Sequence, residues 1–314
     1  MKTAISFFGA SVTAQKNSYA TQFPEADYTK YIYGYGGSHL HSAGMCMVDT
    51  ALKFNPKYCF IEWFTPTLKY TEEKIKDYIY TIITKCLENC TVPIFLFFPK
   101  KDDASDLWEN KTKQYDYIIT ILKTYDIPYI EVYKKLNKDL NIVLRDVVHT
   151  TDVGAQEYFK IIHEEFLMIR KQERNFMFPP STNFEKIKQI SINKTIKNRV
   201  LLEGTGEIIS IHQDVGPFSN RINLIADGRV KPYTLIDPDC YYVRSTFALS
   251  GKFKTNFIIE LLSEEKPKTL YKKEIDWKKV CLEGDCFPET NEMRFKTLYY
   301  IGNISAVTVD GVKL

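Results

Sequence analysis

Apolar and polar positions follow two alternating patterns along the first half of the chain. Short apolar runs end near glycine or proline, as in strands buried on both faces of a parallel sheet. Between them lie longer stretches with helical spacing of apolar residues. The predicted strands are residues 4–8, 28–33, 58–64, 92–98 and 129–132, and the predicted helices are residues 38–54, 71–89, 107–125 and 152–170. This alternation predicts an α/β domain over residues 1–170, with its functional site at the carboxyl ends of the strands.

The pattern changes after residue 170. Residues 171–195 include the polar, proline-containing stretch KQERNFMFPPSTN, which predicts a linker. Short β-rich runs then follow, separated by Gly, Asn, Asp and Pro, with almost no helical periodicity. These runs are residues 199–202, 207–212, 221–226, 241–249, 256–262, 298–301 and 306–309. They predict a second, all-β domain over residues 196–314, built as an antiparallel sandwich or jelly roll.

Composition fits two globular domains. The chain has 314 residues, of which 44% are hydrophobic and 26% charged, and these values exclude a largely disordered protein. The net charge of +3 is too small to indicate a surface that tracks phosphates, so nucleic acid is not expected as a partner. No apolar run approaches the ~18 residues that a membrane-spanning helix needs.

Cysteine usage points to a reducing compartment. Seven cysteines cannot all pair with one another within one chain. The opening MKTAISFFGASVTA mimics a signal peptide, but its apolar stretch is short for one. A cytoplasmic location is therefore favoured, with a secreted or periplasmic one left open. The pairs Cys86/Cys90 and Cys281/Cys286 lack companion ligands at zinc-site spacing, so no metal and no cofactor is predicted.

The segment FFGASVT follows the first predicted strand. Gly9 permits a sharp turn there, and Ser11 then lies at the carboxyl end of the strand with its own N–H available to an oxyanion. This arrangement suits a nucleophilic serine. A turn with a helix-capping serine is the alternative.

The segment RDVVHTTDVG precedes the last predicted helix of the first domain. Asp146 and His149 are separated by two residues, so both side chains can lie on one side of a short turn. A nucleophilic serine needs a base to remove its proton, and the base needs an acid to fix its tautomer. His149 and Asp146 fill these roles, with a structural histidine as the alternative. The competing candidates for the base are His39, His41, His163 and His212.

The segment YGYGGSHLHSAG follows the second predicted strand. Closely spaced glycines, among them Gly37, bring backbone N–H groups near a ligand, either a phosphate or an oxyanion. A dinucleotide-binding fingerprint fails, because its third glycine would fall at His39. The G-x-S-x-G motif of α/β-hydrolases is also absent, because its second glycine would fall at Thr13.

Together these segments resemble the SGNH/GDSL hydrolase family over residues 1–170. The Gly-Ala-Ser sequence ending at Ser11 is similar to the family's G-D-S block, Gly37 to the glycine of its second block, and Asp146-Val-Val-His149 to its D-x-x-H block. The resemblance implies a flavodoxin-like, three-layer α/β/α domain. It also implies a catalytic triad of Ser11, Asp146 and His149, with the N–H groups of Ser11 and Gly37 as the oxyanion hole.

The third block of the family, G-x-N-D, is missing. The corresponding segment PKYCFIEWFTPT has neither that Gly nor that Asn, and Thr65 is the candidate replacement for the oxyanion donor. Glu62 is an acid inside an apolar strand. It is interpreted either as a salt-bridged or strand-end residue, or as a contact to the substrate or a catalytic neighbour. Trp63 and His39 are further candidates for binding substrate.

The resemblance implies a serine esterase that removes acetyl or short acyl groups from a carbohydrate, so the expected partner is a small-molecule or glycan ester. An O-acetyltransferase acting on a bacterial glycan is the first alternative, because acceptor pockets rather than the triad choose the acceptor. A glycan-binding protein with a decayed third block is the second. Aromatic residues of the β domain suit either stacking on sugars or filling its core. They are Tyr233, Tyr241, Tyr242, Trp277, Tyr299 and Tyr300.

Overall fold

The structure of the chain, a computed structural model, describes residues 2–65, 70–102, 107–215, 221–234, 244–248, 251–262 and 293–314. The chain divides into two compact units, Met1–Glu185 and Lys186–Leu314. Several residues considered in the sequence lie outside the described set, namely Tyr241, Tyr242, Trp277, Cys240, Cys281 and Cys286. No helix in the described part of the chain is long and apolar enough to cross a membrane. The cytoplasmic location stays a prediction.

The first unit is built on a parallel sheet of five strands in the order β2-β1-β3-β4-β5. The strands are β1 Thr3–Gly9, β2 Tyr28–Gly34, β3 Tyr58–Glu62, β4 Val92–Phe97 and β5 Tyr129–Glu131. The helices are α1 Ser11–Ala14, α2 Met45–Leu52, α3 Glu72–Glu88, α4 Trp108–Thr124, α5 Val132–Lys135, α6 Leu140–Val143 and α7 Asp152–Ile169. All five predicted strands are present, and the predicted α/β fold with a parallel sheet is confirmed.

Aromatic packing fixes the sheet against its last helix. Phe7 of β1 and Phe60 of β3 stack with ring centroids 5.0 Å apart, and Phe166 of α7 packs edge-on against Phe60 at 5.0 Å. All three side chains are fully buried. Because α7 covers β1 and β3, the loop that precedes α7 is brought over the carboxyl ends of these strands.

The predicted helix over residues 38–54 is wrong in its first part. The chain instead forms a π-helical turn at Leu40–Gly44 before α2 begins at Met45. Gly44 lies against Leu40 and Trp63, where an added Cβ would be 3.0 Å and 3.4 Å from their side chains. The π-helical turn, which is wider than an α-helical one, therefore lies where Gly44 packs tightly against Trp63. The third strand also ends at Glu62 rather than at residue 64.

Gly154 lies in α7 where this helix packs against the end of α6. An added Cβ there would lie 2.1 Å from the backbone oxygen of Val143, so α6 and α7 would have to separate. We expect Gly154→Ala to destabilise the protein by about 2 kcal/mol, measured by urea unfolding. Gly36→Ala is the control, because an added Cβ at Gly36 meets nothing within 4 Å. Equal unfolding midpoints for the two variants would contradict this prediction.

The second unit is all-β, as predicted. Its described strands form one antiparallel sheet in the order β14-β13-β7-β12-β8-β9, with β10 and β11 also paired to β7 and β6 paired to β13. The strands are β6 Lys188–Ile196, β7 Arg199–Val215, β8 Arg221–Ala226, β9 Arg229–Thr234, β10 Arg244–Ala248, β11 Gly251–Phe253, β12 Asn256–Leu261, β13 Met293–Val309 and β14 Val312–Lys313. Residues 188–195, expected to lie in a linker, therefore belong to the sheet.

Two long strands, β7 and β13, run through the second unit. Glycines occupy the middle of both, and Gly204 and Gly302 have φ angles of 135° and 122°, which favour glycine. Gly206 pairs with Gly302 across the strands, and the register shifts nearby. One buried apolar cluster includes residues from both ends of these strands, among them Val200 and Ile211 of β7. The two ends of β7 therefore contribute to the same buried cluster of the described residues.

Candidate active site

Ser11 is the first residue of α1, directly beyond the carboxyl end of β1. The turn that exposes it depends on Gly9. An added Cβ at Gly9 would lie 2.4 Å from Thr13 Oγ1 and 2.6 Å from the backbone oxygen of Glu62. A side chain at this position would force the turn away from β3, so the predicted role of Gly9 has a steric basis.

The loop between α6 and α7 is folded around the carboxylate of Asp146. Its Oδ1 accepts hydrogen bonds from the backbone N–H of Val148 at 3.0 Å and of His149 at 2.8 Å. The backbone N–H of Arg145 donates to the oxygen of His149 at 2.9 Å, which closes the loop. Asp146 and His149 are therefore held together by local backbone geometry, independently of Ser11.

A continuous hydrogen-bond chain links Asp146, His149 and Ser11. His149 Nδ1 lies 2.9 Å from Asp146 Oδ2 and 3.0 Å from its Oδ1, and His149 Nε2 lies 2.8 Å from Ser11 Oγ. An ionised Asp146 favours a proton on Nδ1, which leaves Nε2 to accept the proton of the serine hydroxyl. This is the arrangement of nucleophile, base and orienting acid that serine catalysis requires.

The electrostatics of Asp146 suit its place in this chain. Partial burial raises the pKa of its carboxyl, but the hydrogen bonds from the N–H groups of His149 and Val148 and the nearby imidazole outweigh burial and leave the pKa below its usual value. Asp146 is therefore ionised at neutral pH and can stabilise a protonated His149.

The other four histidines have different partners. His163 lies 3.1 Å from the hydroxyl of Tyr28, His41 is hydrogen-bonded to the hydroxyl of Tyr70, and His212 stacks on Phe247 in the second unit. His39 lies on the exposed side of the loop after β2, with its ring stacked against that of His41. The structure thus brings only His149 of the five within hydrogen-bond distance of Ser11 and Asp146.

Gln15 ties the segment that carries Ser11 to the loop that carries His149. Its Nε2 donates to the backbone oxygen of Thr150 at 3.1 Å, and its Oε1 accepts from the N–H of Thr150 at 3.1 Å. One side chain thereby satisfies both backbone groups of the residue next to His149. Sequence analysis did not identify Gln15, since an amide that bonds to backbone 135 positions away leaves no local pattern.

Two backbone N–H groups suit an oxyanion hole. Gly9 of β1 pairs with Gly34 of β2, and the N–H of Tyr35 donates to the oxygen of Gly9 at 3.0 Å. The residues that follow both strands therefore lie at the carboxyl-terminal end of the sheet. Gly37 has a φ of 68° in this loop, a conformation that favours glycine. Within the described part of the chain, the N–H groups of Ser11 and Gly37 donate to no protein acceptor.

Glu62, Trp63 and Thr65 are fully buried. They lie at and just beyond the end of β3, the central strand of the sheet. Trp63 stacks on Tyr35 with ring centroids 6.1 Å apart. The roles of Glu62 and Trp63 in substrate binding and of Thr65 in the oxyanion hole stay predictions. His39 is exposed and stays a prediction for substrate binding.

Glu62 has hydroxyl and N–H partners rather than a salt bridge. Its Oε2 accepts from the N–H of Ala10 at 3.1 Å and from Thr13 Oγ1 at 3.0 Å. Burial raises the pKa of the Glu62 carboxyl to about 7, against the lowering effect of the hydroxyls of Thr65 and Thr13 and the N–H of Ala10.

The four described cysteines are free thiols. Cys46, Cys59 and Cys86 are buried in the first unit, and Cys90 is exposed. Burial raises the pKa of Cys46, and the neighbouring Cys59 together with burial raises that of Cys86. These two thiols are therefore held in their neutral, weakly nucleophilic form.

Comparison with known proteins identifies a shared fold. No protein-family model and no curated protein matches the chain. Among solved structures, it is similar to a two-domain esterase (CEX) active on acetylated mannans, with a TM-score of 0.64 and 13% identity over 96% of this chain and 92% of that one. It is also similar to the structure of such an esterase co-crystallised with mannopentaose, with a TM-score of 0.63 and 12% identity over 96% of this chain and 91% of that one.

An acetyl xylan esterase, AlAXEase, covers 52% of this chain and 98% of its own, with a TM-score of 0.44 and 19% identity. The likeness to the two-domain esterase extends over both units of the chain. At 13% identity this likeness concerns the fold, and at that level the predicted resemblance is confirmed: an α/β unit with a parallel sheet is followed by a β-rich unit.

Proposed function

We propose that this protein is a serine esterase that removes acetyl or other short acyl groups from a carbohydrate through an acyl-serine intermediate. The observation that carries the proposal is the hydrogen-bond chain from Asp146 through His149 to Ser11 Oγ, with distances of 2.9 and 2.8 Å. A nucleophile, a base and an acid are hydrogen-bonded to one another beyond the carboxyl ends of parallel strands, where active sites of α/β proteins lie.

Acylation begins when Ser11 Oγ attacks the ester carbonyl carbon. His149 Nε2 takes the hydroxyl proton, and Asp146 stabilises the resulting imidazolium. The carbonyl oxygen becomes an oxyanion, and the N–H groups of Ser11 and Gly37 bind it. The bond between the carbonyl carbon and the sugar oxygen then breaks, and His149 returns the proton to that oxygen. The products are the free sugar hydroxyl and an acyl group on Ser11.

Deacylation repeats these steps with water. His149 Nε2 removes a proton from a water molecule, whose oxygen attacks the acyl carbon. The same N–H groups hold the second oxyanion. The bond to Ser11 Oγ breaks, His149 protonates Oγ, and a carboxylic acid leaves. The site thereby returns to the hydrogen-bonded arrangement of the resting structure.

The carbohydrate part of the proposal rests on the likeness to a two-domain esterase described as active on acetylated mannans. We assign the second unit as an accessory domain. Tyr299 and Tyr300 are only 5% and 8% exposed, and Tyr300 belongs to the apolar cluster of this unit. These two tyrosines therefore fit the role of core residues rather than that of a platform for sugars.

We expect the protein to release acetate from acetylated mannan and from p-nitrophenyl acetate. An enzyme-coupled acetate assay measures the first reaction and absorbance of p-nitrophenolate the second, with deacetylated mannan as the control. Adding free acceptor sugars tests for transfer, because a transferase would form acylated sugar in place of acetate. A folded protein that releases no acetate from either substrate would contradict the proposal.

A further inference from the structure

The carboxyl of Glu62 contacts the backbone and side chain on both sides of Ser11. Its Oε2 accepts from the N–H of Ala10, the residue before Ser11, and from the hydroxyl of Thr13, two residues after it. The N–H of Ala10 also donates to the backbone oxygen of Glu62 at 3.0 Å. The turn that presents Ser11 is therefore attached to the end of β3 at two points.

This carboxyl lies within a buried polar cluster, formed by Glu62, Thr13 and Tyr19. Thr13 Oγ1 lies 3.0 Å from the hydroxyl of Tyr19, and all three side chains are at most 1% exposed. Burial first, and the charge of Glu62 second, raise the pKa of Tyr19 and also that of Tyr158. The hydroxyls of Tyr19 and Tyr158 thus stay protonated around the carboxyl.

The cluster is not fully satisfied. Glu62 Oε1 and Thr65 Oγ1 are buried and complete no hydrogen bond with the described residues, although Thr65 is near enough to influence the pKa of Glu62. Burying a carboxyl with so few partners costs stability, and an apolar residue at this place in β3 would avoid that cost. Both hydrogen bonds that the described residues make to the carboxyl come from the turn around Ser11.

We propose that Glu62 is a positioning residue, which holds the turn from Ala10 to Thr13 so that Ser11 Oγ stays in line with His149 Nε2. This inference rests on the proposed esterase function. Without the Glu62 carboxylate, the N–H of Ala10 keeps only the backbone oxygen of Glu62 and the hydroxyl of Thr13 keeps only that of Tyr19, so the turn is held less tightly. A displacement of about 1 Å in a reacting group can cost about 100-fold in rate.

The test measures the rate at which a fluorophosphonate probe labels Ser11, together with kcat and KM for p-nitrophenyl acetate. Glu62→Leu keeps the approximate volume and removes the acceptor. We expect it to lower the labelling rate and kcat by about 100-fold and to change KM by less than about 3-fold. Thr13→Val removes one of the two attachment points, and we expect a decrease of about 10-fold in both rates.

Conservative variants separate positioning from general stability. Glu62→Gln keeps an acceptor oxygen and Thr13→Ser keeps the hydroxyl, so each restores most of the rate lost in Leu or Val. The matched control is Thr81→Val in α3, where Thr81 Oγ1 lies 2.6 Å from Thr182 Oγ1 and both side chains are buried. This control loses a buried hydrogen bond away from Ser11, and its labelling rate should equal that of the wild type.

The outcomes distinguish the two proposals. If Ser11 of the folded wild type takes up no probe, the esterase function fails, and the positioning role fails with it. If the wild type is labelled and a folded Glu62→Leu is labelled at the same rate, only the positioning role is wrong. If Glu62→Leu does not fold, the Thr13 pair decides, because equal labelling of Thr13→Val and Thr13→Ser overturns the role.

Discussion

Replacing Ser11 by alanine is expected to lower kcat for p-nitrophenyl acetate by about 10⁵-fold, to the level left by substrate binding and the oxyanion hole. The substitution removes only Oγ, which lies at the edge of the sheet and bonds to His149. The free energy of unfolding should therefore change little. Intact-mass spectrometry after fluorophosphonate treatment should show one adduct on the wild type and none on Ser11→Ala.

A serine outside the site provides the control for this result. Ser181 lies on an exposed segment, and its Oγ is hydrogen-bonded to Glu185. Ser181→Ala should keep wild-type turnover and take up one probe molecule. If Ser11→Ala kept more than about a tenth of the wild-type kcat, Ser11 would not be the nucleophile.

The second large effect is expected for Asp146→Asn, with a decrease in kcat of about 10³ to 10⁴-fold. The asparagine oxygen can still accept from the N–H groups of Val148 and His149, so the loop should keep its shape. Its NH₂ group, however, donates towards His149 Nδ1. The imidazole then carries its proton on Nε2 and can no longer accept the proton of Ser11.

Steady-state kinetics with urea unfolding separates this tautomer effect from a loss of stability. Asp139→Asn is the matched control, because Asp139 also accepts a backbone N–H, that of Asn141 at 2.8 Å, but belongs to the cap of α6. Both variants should unfold near the wild-type midpoint, and only Asp146→Asn should lose turnover. A kcat for Asp146→Asn within about 10-fold of the wild type would rule out Asp146 as the orienting acid.

The part of the candidate site that could be predicted from the sequence consists of residues whose spacing along the chain is short. Ser11 follows a strand that is apolar and buried, and Asp146 and His149 share one short turn, so both motifs are readable from neighbouring positions. The roles of Glu62 and Gln15 depend on contacts to residues 49 to 135 positions away. Such contacts have no periodicity, and only the folded chain displays them.

The second unit was harder to predict for a related reason. Gly204, Gly206 and Gly302 read as turn signals and split two long strands into shorter runs. In the structure these glycines lie inside β7 and β13, where the two backbones come close and the register between the strands shifts. A glycine that ends a strand and a glycine that bends one look the same in the sequence, because the partner strand determines which role it has.

The hydrogen bond between Ser11 and His149 joins positions 138 residues apart, so it connects almost the first and almost the last elements of the first unit. During synthesis Ser11 leaves the ribosome early, while its proposed base and orienting acid, His149 and Asp146, follow only after all five strands have been made. Until then the proposed nucleophile, Ser11, lacks its hydrogen bond to His149. The appearance of turnover during translation would therefore mark completion of the first unit, and not merely the assembly of its sheet.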